Sequence, residues 1–304
     1  MPKYDLEKFK GIIIAFYAAY DDNGEISTER ALKAARFYLE AGVTGLYLCG
    51  SSGEGFLLSV EERKKITEAI CREFKGRLAL IVHVGAASTR DSIELAKHAE
   101  ACGADALSAV PSVYYHLPEC SIEMHYNAIT AATDLPFFIY NIPQFTGYDL
   151  TTALLGRLVK NPKIIGIKNT TMNAFEIQQF KKVGGKNFLV INGPDEQFLA
   201  GRIMGAEAGI GGTYGVMPEL YVRMEKLFRA GEIQGAQEMQ NKINDVIVDL
   251  ISFRCMYAGA KEVLRLRGID MGSVRSPMMP LGEDEKDKAK RTYEKVMRYV
   301  SELN

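Results

Sequence analysis

No run of eighteen or more apolar residues occurs in the 304-residue sequence. The longest candidate near the N-terminus, the ten residues from Gly11 to Tyr20, runs straight into Asp21-Asp22-Asn23-Gly24-Glu25 and is too short to span a bilayer. The chain therefore reads as soluble and cytoplasmic, with no membrane partner. There is no basic excess either: 37 Lys and Arg stand against 38 Asp and Glu, a formal net charge of −1. Without that excess nothing holds a phosphate backbone over a long surface, so a nucleic-acid partner is not expected. The five cysteines, Cys49, Cys71, Cys102, Cys120 and Cys255, are widely spaced and never form a CxxC pair, which argues against both a disulfide framework and a thiolate zinc site. The four histidines, His83, His98, His116 and His125, show no HExxH spacing, so no metal is expected. With 47% hydrophobic and 25% charged residues the composition is that of an ordinary globular chain, long enough to bury its own core.

What is present is a repeat. Eight short apolar runs, beginning at Gly11, Gly45, Leu78, Ala106, Pro136, Ile164, Phe188 and Ala208, alternate with longer stretches of helical period. Continuous apolar character, rather than in-out alternation, is what strands covered on both faces require, and such sheets are parallel. Ser27, Ser59 and Ser88 each stand at the head of a helical stretch as N-caps do, and Gly42 and Gly103 supply left-handed stops. Eight strand-helix units closing on themselves predict an α/β fold of the (β/α)8 TIM-barrel type. Residues 1–216 would form the barrel. Residues 217–304 carry no further strand and read as a helical C-terminal extension completing the same structural unit, with an apolar helix over 243–253 and a charged helix over 283–303 whose stripe is Ala289, Tyr293, Val296, Met297 and Val300.

Barrel enzymes carry their reacting groups at the C-terminal strand ends. Lys168 follows Ile164-Ile165-Gly166-Ile167, which should lie in the wall and deliver the amine into an enclosed mouth. Burial disfavours the charged form of an amine, and a neutral amine attacks a carbonyl carbon to form an imine. Alternatively, the stem packs on the barrel and the head reaches solvent or an ion pair. Tyr140, on the neighbouring strand, either relays protons near such an imine or packs in the core. The Gly50-Ser51-Ser52-Gly53-Glu54-Gly55 segment is either an anion cradle, suited to a carboxylate as well as a phosphate, or a tight turn without ligand; it matches neither a Walker loop nor a dinucleotide fingerprint. Glu54 reads as structural, bonding loop amides. Asp195 and Glu196 either accept hydrogen bonds from substrate hydroxyls or cap the helix that starts near Gln197.

Four motifs in order, Gly50-Ser-Ser-Gly-Glu54, Tyr140-Asn-Ile-Pro143, Ile165-Gly-Ile-Lys168 and Gly209-Ile-Gly-Gly-Thr213, resemble the N-acetylneuraminate lyase and dihydrodipicolinate synthase family of pyruvate-dependent class I aldolases over essentially the whole chain. The resemblance implies Lys168 as the Schiff-base lysine, with no cofactor beyond that covalent imine, and Tyr140 as the proton-relaying tyrosine. It implies Ser51 and Ser52 as the pyruvate-carboxylate site, with the Ile210 carbonyl close to the same pocket. It further implies Thr170, Gly193, Asp195 and Glu196 as contacts to the hydroxylated tail of a sialic acid, and a homotetramer in which Tyr115 reaches into a neighbour's site. Two positions separate the branches. Gln144-Phe145-Thr146-Gly147 replaces the segment that carries an arginine in synthases, which favours the lyase branch: cleavage of N-acetylneuraminate or a near relative to pyruvate and N-acetylmannosamine. Gly212 stands where lyases generally have a serine, which keeps open another 2-oxo acid aldolase or dehydratase. A dihydrodipicolinate synthase and a non-catalytic sugar-acid sensor are the remaining alternatives.

Overall fold

A computed structural model describes residues 4–303. Eight parallel strands close in sequence order into a barrel: β1 (Gly11–Ala15), β2 (Gly45–Leu48), β3 (Ala79–His83), β4 (Ala106–Ala109), β5 (Phe137–Asn141), β6 (Ile164–Asn169), β7 (Leu189–Asn192) and β8 (Ala208–Gly211). Every residue of every strand is buried, as the continuous apolar runs require.

The outer ring is α1 (Thr28–Glu40), α2 (Val60–Phe74), α3 (Thr89–Cys102), α4 (Glu119–Ala131), the short α5 (Pro143–Thr146) with α6 (Thr152–Leu158), α7 (Phe175–Gly184), α8 (Phe198–Ile203) and α9 (Pro218–Arg229). Three of these start as the sequence predicts. Ser27 accepts from the Arg30 amide, Ser59 and Glu62 form a reciprocal capping box, and Ser88 accepts from the Asp91 amide. Beyond the ring, α10 (Ile233–Ile251), α11 (Met256–Leu266) and α12 (Lys286–Ser301) pack on one another and on α9. Because α9 packs against β1 and follows β8 directly, it is the eighth barrel helix, so a division at 216/217 runs through the last βα unit; residues 1–3 and 304, the outer ends of that division, lie outside the described residues. On α12, Ala289 and Val296 are buried as expected, whereas Met297 faces solvent.

Side chains alternate between the barrel interior and the helix layer. Ile13, Tyr47, Ile81, Phe138, Tyr140, Ile191 and Ile210 fill the interior with Phe9 closing its N-terminal end, while Ile12, Leu46, Leu80, Phe137, Ile139 and Val190 face the helices. One strand breaks the alternation. In β6, Ile164 and Ile167 both face the helices although three residues apart, and the register against β5 slips between Phe137 and Phe138, which pair with Ile164 and Gly166. A single extra residue reverses which face the following side chains take. Counted from Ile164 by strict alternation, Lys168 would point outward; the bulge turns it inward.

Among the described residues no helix is long and apolar enough to cross a membrane.

Candidate active site

The C-terminal strand ends open into a cavity of about 580 Å³. Lys168, 5% exposed, reaches it from β6, its ammonium 4.1 Å from the centre of the Tyr140 ring and 4.9 Å from that of Tyr47. Among the described residues no carboxylate lies within 4 Å of it. The amine is thus held by ring faces and not by an ion pair.

Gly166 permits this approach. A Cβ there would lie 2.5 Å from the Leu189 carbonyl oxygen and 2.6 Å from the Phe138 ring, both fixed in the barrel wall.

Tyr140 Oη lies 3.4 Å from Ser51 Oγ, which joins the end of β5 to the glycine-rich loop after β2. Tyr47 and His83 stand edge-on around the Tyr140 ring, at 5.8 Å and 5.9 Å between centres. His83 accepts the Val110 amide at Nε2, so its proton sits on Nδ1 and is donated to the Cys49 carbonyl. Burial pushes the imidazole well below its ordinary pKa, and the charges of Arg63 and Lys168 push the same way. Neither Tyr47 nor His83 is visible as a site residue in the sequence, because an aromatic in an apolar strand run carries no mark of which face it takes.

The loop that carries Ser51 and Ser52 is anchored by Glu54, through one loop amide from elsewhere in the chain and two side chains, and not through the amides of its own loop. Its carboxylate accepts from Lys261 Nζ (2.7 Å), Tyr20 Oη (3.0 Å) and the Arg275 amide (2.8 Å), a fully buried pair tying the loop to α11 and to the segment after it. Cys49 and Glu54 both sit at positive φ (57° and 53°), a strain held in place by this anchor. Ser52 is buried against Tyr257 of α11, whose phenol is pushed upward mainly by burial and partly offset by its hydrogen bond to Ser52.

On the opposite side, Thr170 follows β6 with its hydroxyl buried and without a hydrogen-bond partner. It crowds Gly193, where a Cβ would also meet the Asn169 carbonyl at 2.7 Å. Asp195 is buried, and its Oδ2 accepts both the Thr213 amide and the Thr213 hydroxyl at 2.6 Å. One carboxylate oxygen is therefore committed to tying β7 to β8, and Oδ1 lies against Gly211. Burial pushes this carboxyl up to about 6 against the opposing Thr213 hydrogen bonds. Glu196 is exposed at the rim and does not cap a helix; the N-cap of α8 is Gln197, with no side-chain bond. Ile210 and Gly212 complete the floor, and a Cβ at Gly212 would lie 2.8 Å from Ser52 Oγ.

Asn141 and Asn169, which follow Tyr140 and Lys168, turn away and bond each other at 2.9 Å, linking β5 to β6 behind the cavity. Tyr115 does not line this cavity; it and Tyr114 are 71% and 88% exposed on the loop after β4. The C-terminal helices, to which the sequence attaches no function, line one wall through Asn244, Ile247, Val248 and Ile251 of α10 and Met256 and Tyr257 of α11. Among the described residues no group of three or more His, Cys, Asp or Glu side chains is placed to hold a metal ion.

A closed parallel barrel whose enclosed lysine rests on the rings of Tyr140 and Tyr47, with Ser51 and Ser52 lining the same cavity, has the architecture of a Schiff-base carbon–carbon lyase of the class I aldolase type. The chain belongs to the dihydrodipicolinate synthetase family, whose sequence profile matches residues 8–296. It is 44% identical to the N-acetylneuraminate lyase of Mediterraneibacter gnavus over 284 residues, 92% of this chain and 90% of the relative. Its structure resembles that of a catalytic-lysine mutant of the Ruminococcus gnavus sialic acid aldolase, with a TM-score of 0.97, 41% identity and coverage of 99% and 100% of the two chains. It also resembles CdNal from Clostridium difficile in complex with mannosamine, with a TM-score of 0.92, 33% identity and coverage of 96% and 99%.

Proposed function

We propose that the protein cleaves N-acetylneuraminate, or a closely related sialic acid, reversibly to pyruvate and N-acetylmannosamine. The observation that carries this reading is the enclosed Lys168 amine, with no carboxylate within 4 Å among the described residues, opening on a cavity that Tyr140 and Ser51 also line, their hydroxyls 3.4 Å apart.

Lys168 adds to the 2-oxo carbon of the sugar acid, and loss of water leaves a protonated imine. The bond between the adjacent methylene and the hydroxyl-bearing carbon then breaks, its electron pair entering an enamine while that hydroxyl becomes the aldehyde. Tyr140 relays the proton released, with Ser51 as its neighbour. Protonation of the enamine carbon and hydrolysis return the amine and free pyruvate. Ser51 and Ser52 hold the carboxylate, and the Ile210 carbonyl borders the same pocket. Thr170, with its unpartnered hydroxyl, the Gly193 backbone, Asp195 through Oδ1, and Glu196 orient the hydroxylated tail. No step calls on a metal or an added cofactor.

The branch choice rests on what surrounds the cavity. Among the described residues lining it there is no arginine, and Phe145 occupies the loop where a synthase would grip a second carboxylate, so condensation of pyruvate with aspartate semialdehyde is the weaker alternative. Gly212 favours a second reading, a 2-oxo acid aldolase for a differently substituted chain. We further propose a cytoplasmic homotetramer, in which the exposed Tyr115 completes a neighbour's site.

Pyruvate release from N-acetylneuraminate tests the activity. Turnover supports the reading, whereas its absence together with condensation of pyruvate and aspartate semialdehyde would transfer the protein to the synthase branch, and tight binding without product would make it a sensor.

A further inference from the structure

His83 does not line the cavity, yet it bears on both members of the Tyr140–Ser51 pair. It ends β3 with its ring on the inner side of the barrel, where Gly85 leaves the space for it: a Cβ at Gly85 would lie 2.9 Å from His83 Nε2. The imidazole stands at 89° to the Tyr140 ring, and Tyr47, tied to Ser108 at 2.9 Å, stands at 83° to the same ring. Two rings set across it fix the plane in which the Tyr140 hydroxyl lies. Through Nδ1, at 3.2 Å, His83 also holds the Cys49 carbonyl, two residues before Ser51 and at the positive φ that opens the serine loop. The imidazole has no freedom to turn. Val110 donates to Nε2 at 3.2 Å, and the Arg63 guanidinium donates to the carbonyls of His83 at 2.7 Å and Gly85 at 2.9 Å. Arg63 is buried, and among the described residues no carboxylate lies within 4 Å of it. A protonated imidazole would point a second N–H at the Val110 amide with that uncompensated charge behind it, so the neutral ring is the form that fits.

We propose that His83 is a positioning residue for the cleavage: it sets the 3.4 Å separation of the Tyr140 and Ser51 hydroxyls, holding the tyrosine by ring contact and the serine loop by the Cys49 carbonyl. This rests on the reading that Tyr140 relays the proton and that Ser51 and Ser52 hold the carboxylate. The two attachments act on different quantities. Loss of the ring contact frees Tyr140 and lowers kcat, whereas loss of the Cys49 bond frees the serine loop and raises KM. An imidazole placed only to fill the barrel would change neither in the molecules that remain folded.

His83→Asn and His83→Gln separate the two. Both remove the ring. The asparagine amide takes the place of Nδ1 and keeps the bond to Cys49, whereas the longer glutamine sets its carbonyl at Nε2 and keeps only the bond from Val110. Each variant, alone and combined with Tyr140→Phe, is assayed in the full chain for pyruvate release from N-acetylneuraminate, with the folded fraction taken from calorimetry. The expected result is a kcat per folded molecule lower by about ten- to a hundredfold in both, with KM within about twofold of the unaltered protein in His83→Asn and raised about fivefold in His83→Gln. In the Tyr140→Phe background the kcat loss from either substitution should disappear, because the hydroxyl that His83 positions is gone. Full kcat per folded molecule, equal KM in the two variants, or a kcat loss that adds undiminished to that of Tyr140→Phe would overturn the proposal. Should one variant fail to fold, the other still reads the coupling to Tyr140. Absence of pyruvate release by the unaltered protein would instead strike the activity on which the proposal rests.

Discussion

Replacing Gly166 with alanine asks whether the bulge in β6 places the reactive amine. The added methyl meets the Leu189 carbonyl at 2.5 Å and the Phe138 ring at 2.6 Å, so either β6 and β7 part or the bulge relaxes. Overpacking of this kind costs about 1–3 kcal/mol. With an unfolding entropy of about 2.1 cal/mol/K per residue, 1 kcal/mol shifts the melting temperature of a chain this long by about 1.6 °C, so the expected fall is about 2–5 °C. The activity should suffer out of proportion. Displacing a reacting atom by about 1 Å costs on the order of a hundredfold, and a relaxed bulge would turn the lysine toward the helices altogether. Differential scanning calorimetry and pyruvate release on the same preparation separate the two effects: a small loss in Tm with a loss in kcat of a hundredfold or more is predicted. A variant with full kcat, or one whose activity declines only in step with its folded fraction, would refute the reasoning.

Tyr140→Phe should keep the ring against Lys168 while removing the relay, lowering kcat by about 10²–10⁴-fold with little change in Tm, as steady-state kinetics and calorimetry would show. Lys261→Met strands Glu54 in the core, a loss of about 3–5 kcal/mol that corresponds to about 5–8 °C in Tm; KM for pyruvate in the condensation direction should rise as the Ser51-Ser52 loop loosens, and the double variant with Glu54→Gln should recover much of the stability. Asp195 titrates near 6, above its ordinary 3.8, so the folded protein binds more protons between those values and this group's contribution to stability falls as pH rises from about 4 to about 6. Below about 6 its bonds from Thr213 weaken, and KM for the sugar acid should rise as pH falls through that value; a profile without inflection there, or one unchanged in Asp195→Asn, would count against the assignment.

The barrel was legible in the sequence because strands buried on both faces leave eight unbroken apolar runs and because serine caps and glycine stops mark the helices between them. The position of Lys168 at the end of β6 was legible for the same reason. Its delivery into the mouth was expected from the wall run, but the means was not legible: alternation from Ile164 points it to the outer layer, and only the register slip against β5 reverses that. Glu54 could be read as structural, but its partners Tyr20, Lys261 and Arg275 come from the far ends of the chain, where charge alone does not say who meets whom. The apolar stripe of α10 illustrates a further limit. Helical periodicity marks a face to be covered without saying whether protein or ligand covers it, so Val248 and Ile251 read as core until the cavity is seen beside them.

The central claim is covalent bonding between Lys168 and a 2-oxo carbon, and trapping measures it directly. Borohydride added to the protein with pyruvate should leave one reduced adduct, located by peptide mass spectrometry on the fragment containing Lys168, and inactivate the protein in proportion to its yield. Lys168 unmodified while activity persists, or an adduct confined to another lysine, would contradict the account.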